Sequence, residues 1–406
     1  MPSLSKWAKA QVDPPLRRLA ALKDTLNLAN GFPHPSGFPY AALTAHAPEP
    51  IFLDSTVAQQ YAPITGHPPL VAWARAAVRE HHDPPASVEV CITSGNYDGL
   101  ARVLDSLLDA GDTLLVDEYT FPYSMGILQP WRDVRGVRLV GVRASDTGLD
   151  ATDLARKAPG AKALLTIPTG QNPTGADAHN LEEVYAVAAR HDLWIVEDDP
   201  YYYTHFGMDS VPSSIAPRPS YLRLDVDGRV VRLDSFSKWM APGLRCGWLS
   251  AAPTVVAKIA PLLAFASTLS QELLARTLEA WGEEGLRVHL VELRARYHAK
   301  CIAIDALLHR HLAGVCTWTR PQSGMFLWLR VVAGPWAEAL ATDASATELL
   351  ITAMASHRVS VVPGCFFGDA SVACLRVSFT SLSEEDAREG VSRLRALLTS
   401  AIPRAD

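Results

Sequence analysis

The segment from Ser235 to Arg245 combines residue types that could hold a phosphorylated aldehyde. It reads Ser-Phe-Ser-Lys-Trp-Met-Ala-Pro-Gly-Leu-Arg and follows the strand-like run 230–234. The Lys238 amine can condense with an aldehyde, while the Ser235 and Ser237 hydroxyls can hydrogen-bond a phosphate. Arg245 presents a planar fork that suits a phosphate. The segment therefore predicts a covalent cofactor site, although a Ser-x-Ser-Lys sequence alone is more often a surface loop.

Polar residues also follow two other strand-like runs, at the strand ends where open α/β sheets place ligands. The run 193–198 ends at Asp198, and Tyr201 comes shortly after it. The run 161–167 is followed by the turn-rich segment Pro-Thr-Gly-Gln-Asn-Pro-Thr-Gly, which contains Asn172. Taken singly, these segments could be a solvated acidic strand end and an ordinary turn. Their occurrence together favours a ligand site.

The junction between the strand-like run 88–93 and the helical pattern after it is a candidate phosphate site. It contains Gly95, Asn96 and Tyr97. Free backbone amides and the helix dipole at such a junction attract a phosphate. By itself the junction is most often a plain strand–helix turn, so its role depends on the other motifs.

Strands alternating with helices must position these residues. Helical spacing follows the first β-rich run and recurs at 181–191 between two others. The β-rich runs are 88–93, 112–117, 137–142, 161–167, 193–198, 230–234 and 244–251. Because these runs are largely apolar, they predict a mostly parallel sheet covered on both faces in an α/β domain.

The remainder of the chain predicts a smaller α+β domain. A long helical pattern covers about 270–310. The further strand-like runs are 325–331, 359–363 and 374–379, and the further helical patterns cover 344–356 and 383–400.

Composition excludes several classes of protein. The 406 residues are 48% hydrophobic and 20% charged, which indicates a folded protein with a full core. With 37 basic and 43 acidic residues the net charge is -6, so no basic field favours nucleic acid or an anionic membrane surface. We therefore expect neither as a partner.

The sequence also favours a cytoplasmic location without a bound metal. The first residues lack the apolar core of a signal peptide, and prolines interrupt the apolar stretch 251–269. The six cysteines form no CxxC pair, and the histidines at 81–82 and 309–311 lack partners at ligand spacing. We therefore expect reduced thiols and no metal site.

In their order along the chain, the motifs resemble those of fold-type I pyridoxal-phosphate enzymes, the class I/II aminotransferases. The likeness runs from about residue 14 to about residue 395 and is greatest for the kynurenine/2-aminoadipate and aromatic aminotransferase branch. It implies the α/β fold-type I PLP-transferase architecture, with a mostly parallel seven-stranded sheet and a smaller C-terminal α+β domain. It also implies an N-terminal arm at 1–45, a large cofactor domain at 46–285 and a small domain at 286–406.

The resemblance implies a role for each cofactor residue. Lys238 matches the lysine that binds pyridoxal 5'-phosphate covalently, and Asp198 the carboxylate that pairs with the pyridine nitrogen. Tyr201 and Asn172 match residues that hydrogen-bond the phenolic oxygen, and Phe121 lies where a tyrosine stacks on the ring. The phosphate ligands implied are Gly95, Asn96, Tyr97, Ser235, Ser237, Arg245 and, from the neighbouring subunit of a homodimer with shared active sites, Tyr61.

The resemblance also implies how substrates bind. Arg376 matches the arginine that forks onto the substrate α-carboxylate. Arg17 corresponds to an arm residue that can meet a side-chain carboxylate, and Gly31 to a turn near the substrate. The implied reaction moves an amino group from an aromatic or 2-aminoadipate-like L-amino acid to a 2-oxo acid such as 2-oxoglutarate.

Three other interpretations remain open from the sequence. The same cofactor supports racemisation, decarboxylation, β- or γ-substitution and carbon–carbon bond formation, and Phe121 and Tyr119 both depart from the aminotransferase pattern. An effector-binding regulator would carry an N-terminal DNA-binding module, for which residues 1–40 leave no room. A structural protein would not need the lysine, aspartate and arginines together.

Overall fold

The structure is a computed structural model of the chain. It describes residues 22, 24–29, 53, 55–58, 60–213, 218–262, 266–342, 345–368 and 373–403.

The described strands and helices follow the expected alternation. The strands are β1 Leu26–Asn27, β2 Glu89–Thr93, β3 Thr113–Asp117, β4 Arg138–Val142, β5 Ala144–Ser145, β6 Gly148–Leu149, β7 Ala163–Thr166, β8 Trp194–Asp198, β9 Val230–Ser235, β10 Gly247–Ala251, β11 Cys316–Thr317, β12 Phe326–Val331, β13 Val359–Ser360, β14 Val362–Pro363 and β15 Cys374–Ser378. The α-helices are α1 Ser55–Ala58, α2 Pro68–His81, α3 Asn96–Leu107, α4 Pro122–Arg135, α5 Ala151–Lys157, α6 Leu181–Arg190, α7 Tyr221–Leu224, α8 Pro253–Ile259, α9 Thr268–Leu312, α10 Pro335–Thr342, α11 Ala346–His357 and α12 Glu384–Thr399.

The large sheet has the expected mostly parallel arrangement. Within the described residues it contains seven strands in the order β2-β10-β9-β8-β7-β3-β4. Strand β10 is antiparallel to both of its neighbours, and the other pairs are parallel. Strands β3, β7, β9 and β10 are buried along their whole length, because side chains pack against both faces. The predicted α/β class and its parallel sheet are confirmed.

Alternation along β8 and β9 assigns their side chains to opposite faces of this sheet. Val196 packs in the hydrophobic cluster that includes Leu100 of α3, whereas Ile195 packs in the cluster on the other face. Asp198 therefore shares the face of α3, and Glu197 lies on the opposite face.

A second, antiparallel sheet of the order β11-β12-β15-β14 lies in the C-terminal part of the chain. Strand β1 pairs in parallel with β13, with Leu26 opposite Val359, so the N-terminal strand lies against this part of the chain. Helix α9 crosses the predicted boundary near residue 285 and contains a left-handed break at Gly282. The domain boundaries 1–45, 46–285 and 286–406 stay a prediction.

Among the described residues, no helix is both long and apolar enough to cross a membrane.

Candidate active site

Lys238 lies in a short turn that begins where β9 ends. The Ser235 hydroxyl accepts a hydrogen bond of 3.1 Å from the Ser237 backbone N–H, which starts a 3₁₀ turn at residues 236–238. At its end, the Lys238 carbonyl accepts a 3.1 Å hydrogen bond from the Tyr297 hydroxyl. The sequence of strand, capping serine and tight turn thus fixes the backbone from which the lysine projects.

The pKa of the Lys238 amine is lower than that of an ordinary lysine. Burial first, and then the positive charges of Arg376 and Arg245, lower its pKa to about 8, while Asp198 acts in the opposite direction. Desolvation and nearby cations disfavour the ammonium form, so a larger fraction of the amine is neutral at physiological pH. The Lys238 amine also lies 6.0 Å from the centre of the Tyr201 ring.

Asp198 occupies the carboxyl end of β8 and is held from α3. The Asn96 amide donates to Asp198 Oδ1 at 2.7 Å and to the Leu233 carbonyl at 3.1 Å. Burial raises the pKa of Asp198 to about 6, and the hydrogen bond from Asn96 opposes that rise. The group is therefore mostly a carboxylate at neutral pH, close enough to Lys238 to affect its pKa.

Arg376 joins the second sheet to the loop that contains Asn172. Its Nη1 donates to Asn172 Oδ1 at 2.7 Å, and its Nη2 donates to the Ala29 carbonyl. The guanidinium carbon lies 4.0 Å from the centre of the Phe326 ring and 5.2 Å from that of Phe367. These partners compensate for burying a charge that is only 2% exposed.

Tyr201 lies near both Asn172 and Lys238. Its phenol is hydrogen-bonded by the Asn172 side chain, and burial raises its pKa above the ordinary value. The phenol is therefore protonated at physiological pH and can act as a hydrogen-bond donor. The chain thus brings Lys238, Asp198, Tyr201, Asn172 and Arg376 together from both sheets.

Arg245 and the start of α3 form a cradle for an anion. Arg245 Nη1 lies 3.3 Å from the Ser237 hydroxyl, and its Nη2 lies 3.4 Å from the Ser94 carbonyl. Gly95 immediately precedes α3, where the first backbone N–H groups of the helix have no partner within the helix. Guanidinium, hydroxyls and helix amides are the donors that a phosphate requires, so these residues fit the phosphate of pyridoxal phosphate.

Comparison with known proteins agrees with this geometry. Residues 23–394 match the family described as aminotransferase class I and II. The chain belongs to the class I and II aminotransferases. It is 32% identical to a mitochondrial kynurenine/alpha-aminoadipate aminotransferase of Mus musculus, over 98% of this chain and 99% of that protein. It is 30% identical to an aromatic amino acid aminotransferase of Schizosaccharomyces pombe, over 81% of each chain.

Solved structures are similar over almost the whole chain. The alpha-aminoadipate aminotransferase LysN of Thermus thermophilus, solved with N-(5'-phosphopyridoxyl)-L-leucine, aligns with a TM-score of 0.80 and 29% identity over 97% of both chains. A multiple substrate aminotransferase of Thermococcus profundus aligns with a TM-score of 0.81 and 25% identity over 97% of both chains. The protein is therefore a pyridoxal-phosphate-dependent transaminase, and the alternative reaction types are not favoured.

A methyl group at Gly95 of this aminotransferase would collide with the Arg245 guanidinium. The φ of Gly95 is +88°, and a Cβ there would lie 2.5 Å from Arg245 Nη2. Gly95→Ala is expected to displace the guanidinium and to lower the affinity for pyridoxal phosphate by about tenfold or more, since a charge-assisted hydrogen bond contributes about 1.5–3 kcal/mol. Cofactor titration followed by absorbance measures the change.

Gly111→Ala is the matched control for this substitution. Gly111 has nearly the same φ, +86°, but a Cβ there would meet nothing within 4 Å. Both variants bear the strain of a left-handed alanine, about 1 kcal/mol. Equal cofactor affinity in the two variants would show that Arg245 does not act through this contact.

The remaining residues that the sequence analysis singled out differ in exposure, and two of them lie outside the described residues. Phe121 is half-buried at the start of α4, and Tyr97 is 48% exposed on the first turn of α3. The Tyr119 ring lies 5.5 Å from that of Trp328 in β12. Arg17 and Gly31 lie outside the described residues, so their substrate contacts stay predictions.

Asp177 is a site-supporting residue of the aminotransferase that the sequence analysis missed. It accepts a 2.7 Å hydrogen bond from the Gly170 N–H and lies 3.0 Å from Arg218 Nη2, and the Ser323 hydroxyl donates to the same carboxylate. These contacts hold both ends of the loop that carries Asn172. Its partner Ser323 is 146 residues away in the sequence, so no local motif identifies the contact.

The Asn96 side chain makes a contact that the sequence did not indicate, because its amide donates to Asp198. Its place among the phosphate ligands stays a prediction. Its position at the first residue of α3 directs the amide across the sheet edge. The backbone N–H groups of this turn are the kind of donors that a phosphate requires.

Proposed function

We propose that this aminotransferase moves the amino group of an aromatic or 2-aminoadipate-like L-amino acid to a 2-oxo acid such as 2-oxoglutarate. The observation that carries the proposal is the buried Arg376, directed toward Asn172 and surrounded by the rings of Phe326 and Phe367. A guanidinium fork suits the α-carboxylate that both substrates share. Relatives named for kynurenine, aminoadipate and aromatic amino acids support the choice of donor.

Lys238 is proposed as the residue that moves the proton. Bound pyridoxal phosphate supplies an electron sink for the substrate Cα. The Lys238 amine would accept the proton from the substrate Cα and deliver it to the cofactor carbon C4′, and a pKa of about 8 makes its neutral form accessible at physiological pH. Covalent attachment of the cofactor to the same amine is the second part of this proposal.

The surrounding side chains are proposed to bind and orient the cofactor ring. Asp198 pairs with the ring nitrogen, and a carboxylate there favours its protonated form. Tyr201 and Asn172 hydrogen-bond the phenolic oxygen, and Phe121 contributes an aromatic face. The proposed phosphate ligands are the backbone at Gly95, Asn96 and Tyr97 together with Ser235, Ser237 and Arg245.

A homodimer with shared active sites is proposed from the loop that contains Tyr61. The Tyr61 side chain is 79% exposed, although the loop itself is held firmly against α9. The Ala62 N–H donates to Thr268 Oγ1 at 3.1 Å, and the His67 N–H donates to Gln271 Oε1 at 2.7 Å. An exposed aromatic residue on a fixed loop suits a contact with a second subunit.

A cytoplasmic location also stays a proposal, since mammalian relatives are named mitochondrial.

A donor screen tests the substrate class. With 2-oxoglutarate as acceptor, kcat/KM for kynurenine, phenylalanine and 2-aminoadipate is compared with that for L-alanine. We expect at least one of the three to exceed alanine by about tenfold or more, since side-chain contacts in a pocket contribute about 1–3 kcal/mol to discrimination. Glutamate formation measures the transfer. A preference for alanine over all three would contradict the proposed donor class.

A further inference from the structure

Four charged side chains form a buried cluster beside the active site. Arg232 of β9 lies at its centre: Nη1 is 2.9 Å from Glu197 Oε1, and Nη2 is 3.1 Å from Asp199 Oδ2 and 2.8 Å from Asp234 Oδ1. All four side chains are at most 1% exposed. We name these four residues the Arg232 cluster. Charged residues in an otherwise apolar strand run could have indicated it from the sequence.

The Arg232 cluster lies on the opposite face of the sheet from Asp198. In the β8–β9 register, Glu197 is opposite Arg232 and Asp198 is opposite Leu233. Alternation then places Glu197, Asp199, Arg232 and Asp234 on one face and Asp198 on the other. The cluster therefore ties β8 to β9 at the strand ends where Asp198 projects toward Asn96.

The charge of the cluster acts on Asp198 through the sheet. Asp199 and Asp234 raise the pKa of Asp198, in addition to the larger effect of burial, and Arg232 lowers it. Burial likewise raises the pKa of Asp234 to about 6 and that of Glu197 to about 7. Three carboxylates thus share one guanidinium, and the charges of Asp199, Asp234 and Arg232 contribute to the pKa of Asp198 after burial and the Asn96 hydrogen bond.

Other groups face these residues from the neighbouring elements. Asn96 of α3, Lys238 and Tyr201 interact with Asp198 on the cofactor face. On the cluster face, His81 and His82 lie near Arg232. Burial lowers the pKa of both histidines, so both are neutral at physiological pH. Arg218 is a further positive charge that lowers the pKa of Asp199.

We propose that the Arg232 cluster is a positioning unit for the cofactor, which fixes the strand ends beneath Asp198 and sets the negative charge that Asp198 presents to the ring nitrogen. The inference rests on the proposed role of Asp198. It makes Arg232, Glu197, Asp199 and Asp234 positioning residues, because none of them shares the face of the sheet on which Asp198 lies.

The experiment compares two probes across pH with the full chain. One is pyridoxal phosphate, and the other is its analogue with a C–H group in place of the ring nitrogen. Both carry the same aldehyde and phosphate, so the ratio of their affinities isolates the contact between Asp198 and the nitrogen. In the wild-type protein this ratio is expected to fall as pH is lowered through about 6, where Asp198 becomes protonated.

Asp234→Asn and Asp199→Asn each remove one negative charge while preserving size. Each is expected to move the midpoint of the ratio to lower pH by about half a unit to one unit, since a like charge raises a carboxylate pKa. Asp225→Asn is the matched control. Asp225 is also buried and accepts hydrogen bonds from the Arg229 and Val230 N–H groups at the other end of β9. The Asp225→Asn variant is expected to be less stable than the wild type but to keep the same midpoint of the affinity ratio.

The outcomes separate the inference from the proposed function. The inference would be overturned if both cluster variants had the wild-type midpoint of the affinity ratio. It would also be overturned if Asp225→Asn moved that midpoint as far as the cluster variants do. If both cluster variants fail to fold, the wild-type protein provides the test. An affinity ratio above one that stays constant from about pH 8 to about pH 5 would also overturn the inference. Equal wild-type affinity for both probes at every pH would instead refute the proposed role of Asp198.

Discussion

Lys238→Ala is expected to lower the rate of amino transfer by about 10³-fold or more. The variant lacks the amine proposed to accept the Cα proton, and general base catalysis contributes about 10²–10⁴-fold. It also lacks the group proposed to bind the cofactor covalently. Two measurements check the prediction: the initial rate of 2-oxo acid formation, and the absorbance band of the lysine-bound cofactor.

Lys258→Ala provides the control for a change of lysine to alanine. Lys258 is exposed on α8. Its removal is expected to leave both the rate and the absorbance band unchanged. If Lys238→Ala kept the wild-type rate and band, the assignment of the catalytic amine would be wrong.

Arg376→Lys is expected to raise KM for the amino donor by about 100-fold. Lysine keeps the positive charge but loses the fork of two parallel donors, and charge-assisted hydrogen bonds contribute about 1.5–3 kcal/mol each. The substitution also removes the 2.7 Å contact from Nη1 to Asn172. Steady-state kinetics with varied donor measure KM, and the same increase is expected for the 2-oxo acid because both substrates carry the carboxylate.

Arg330→Lys is the matched control in the same sheet. Arg330 belongs to β12, the strand paired with β15, but its side chain is exposed. In Arg330→Lys, KM for the amino donor is expected to stay within about twofold of the wild-type value, because most surface substitutions have small effects. Equal KM values for Arg376→Lys and Arg330→Lys would show that Arg376 does not bind the carboxylate.

The fold could be predicted from the sequence because its determinants are local. Apolar β-rich runs bounded by turn residues identified the strands of the large sheet to within a few residues. The helices at 181–190 and 384–399 likewise follow from spacing of apolar residues within each segment. The order of the strands and the reversed direction of β10 could not be predicted from the sequence, because strands that pair with each other lie far apart in the chain.

By itself, the sequence determined the chemistry of the site residues. Lys238, Ser235, Ser237 and Arg245 lie within eleven consecutive residues, and their spacing, taken together with the other motifs, indicated a covalent phosphate-bearing cofactor. Asp198 and Asn172 could also be identified, since each follows a strand whose end is a usual ligand position. Short motifs carry this information because neighbours in the chain are neighbours in space.

Only the tertiary structure decided which side chains support these residues. Asn96 lies 102 residues from Asp198, and Arg376 lies 204 residues from Asn172, yet both pairs are in hydrogen-bond contact. The Arg232 cluster depends on the register of β8 against β9, since a shift of β9 by one residue would place Arg232 and Asp234 on the face opposite Glu197. Strand register and packing between distant segments are global properties of the folded chain, and these properties determine the charge and the orientation of each catalytic group.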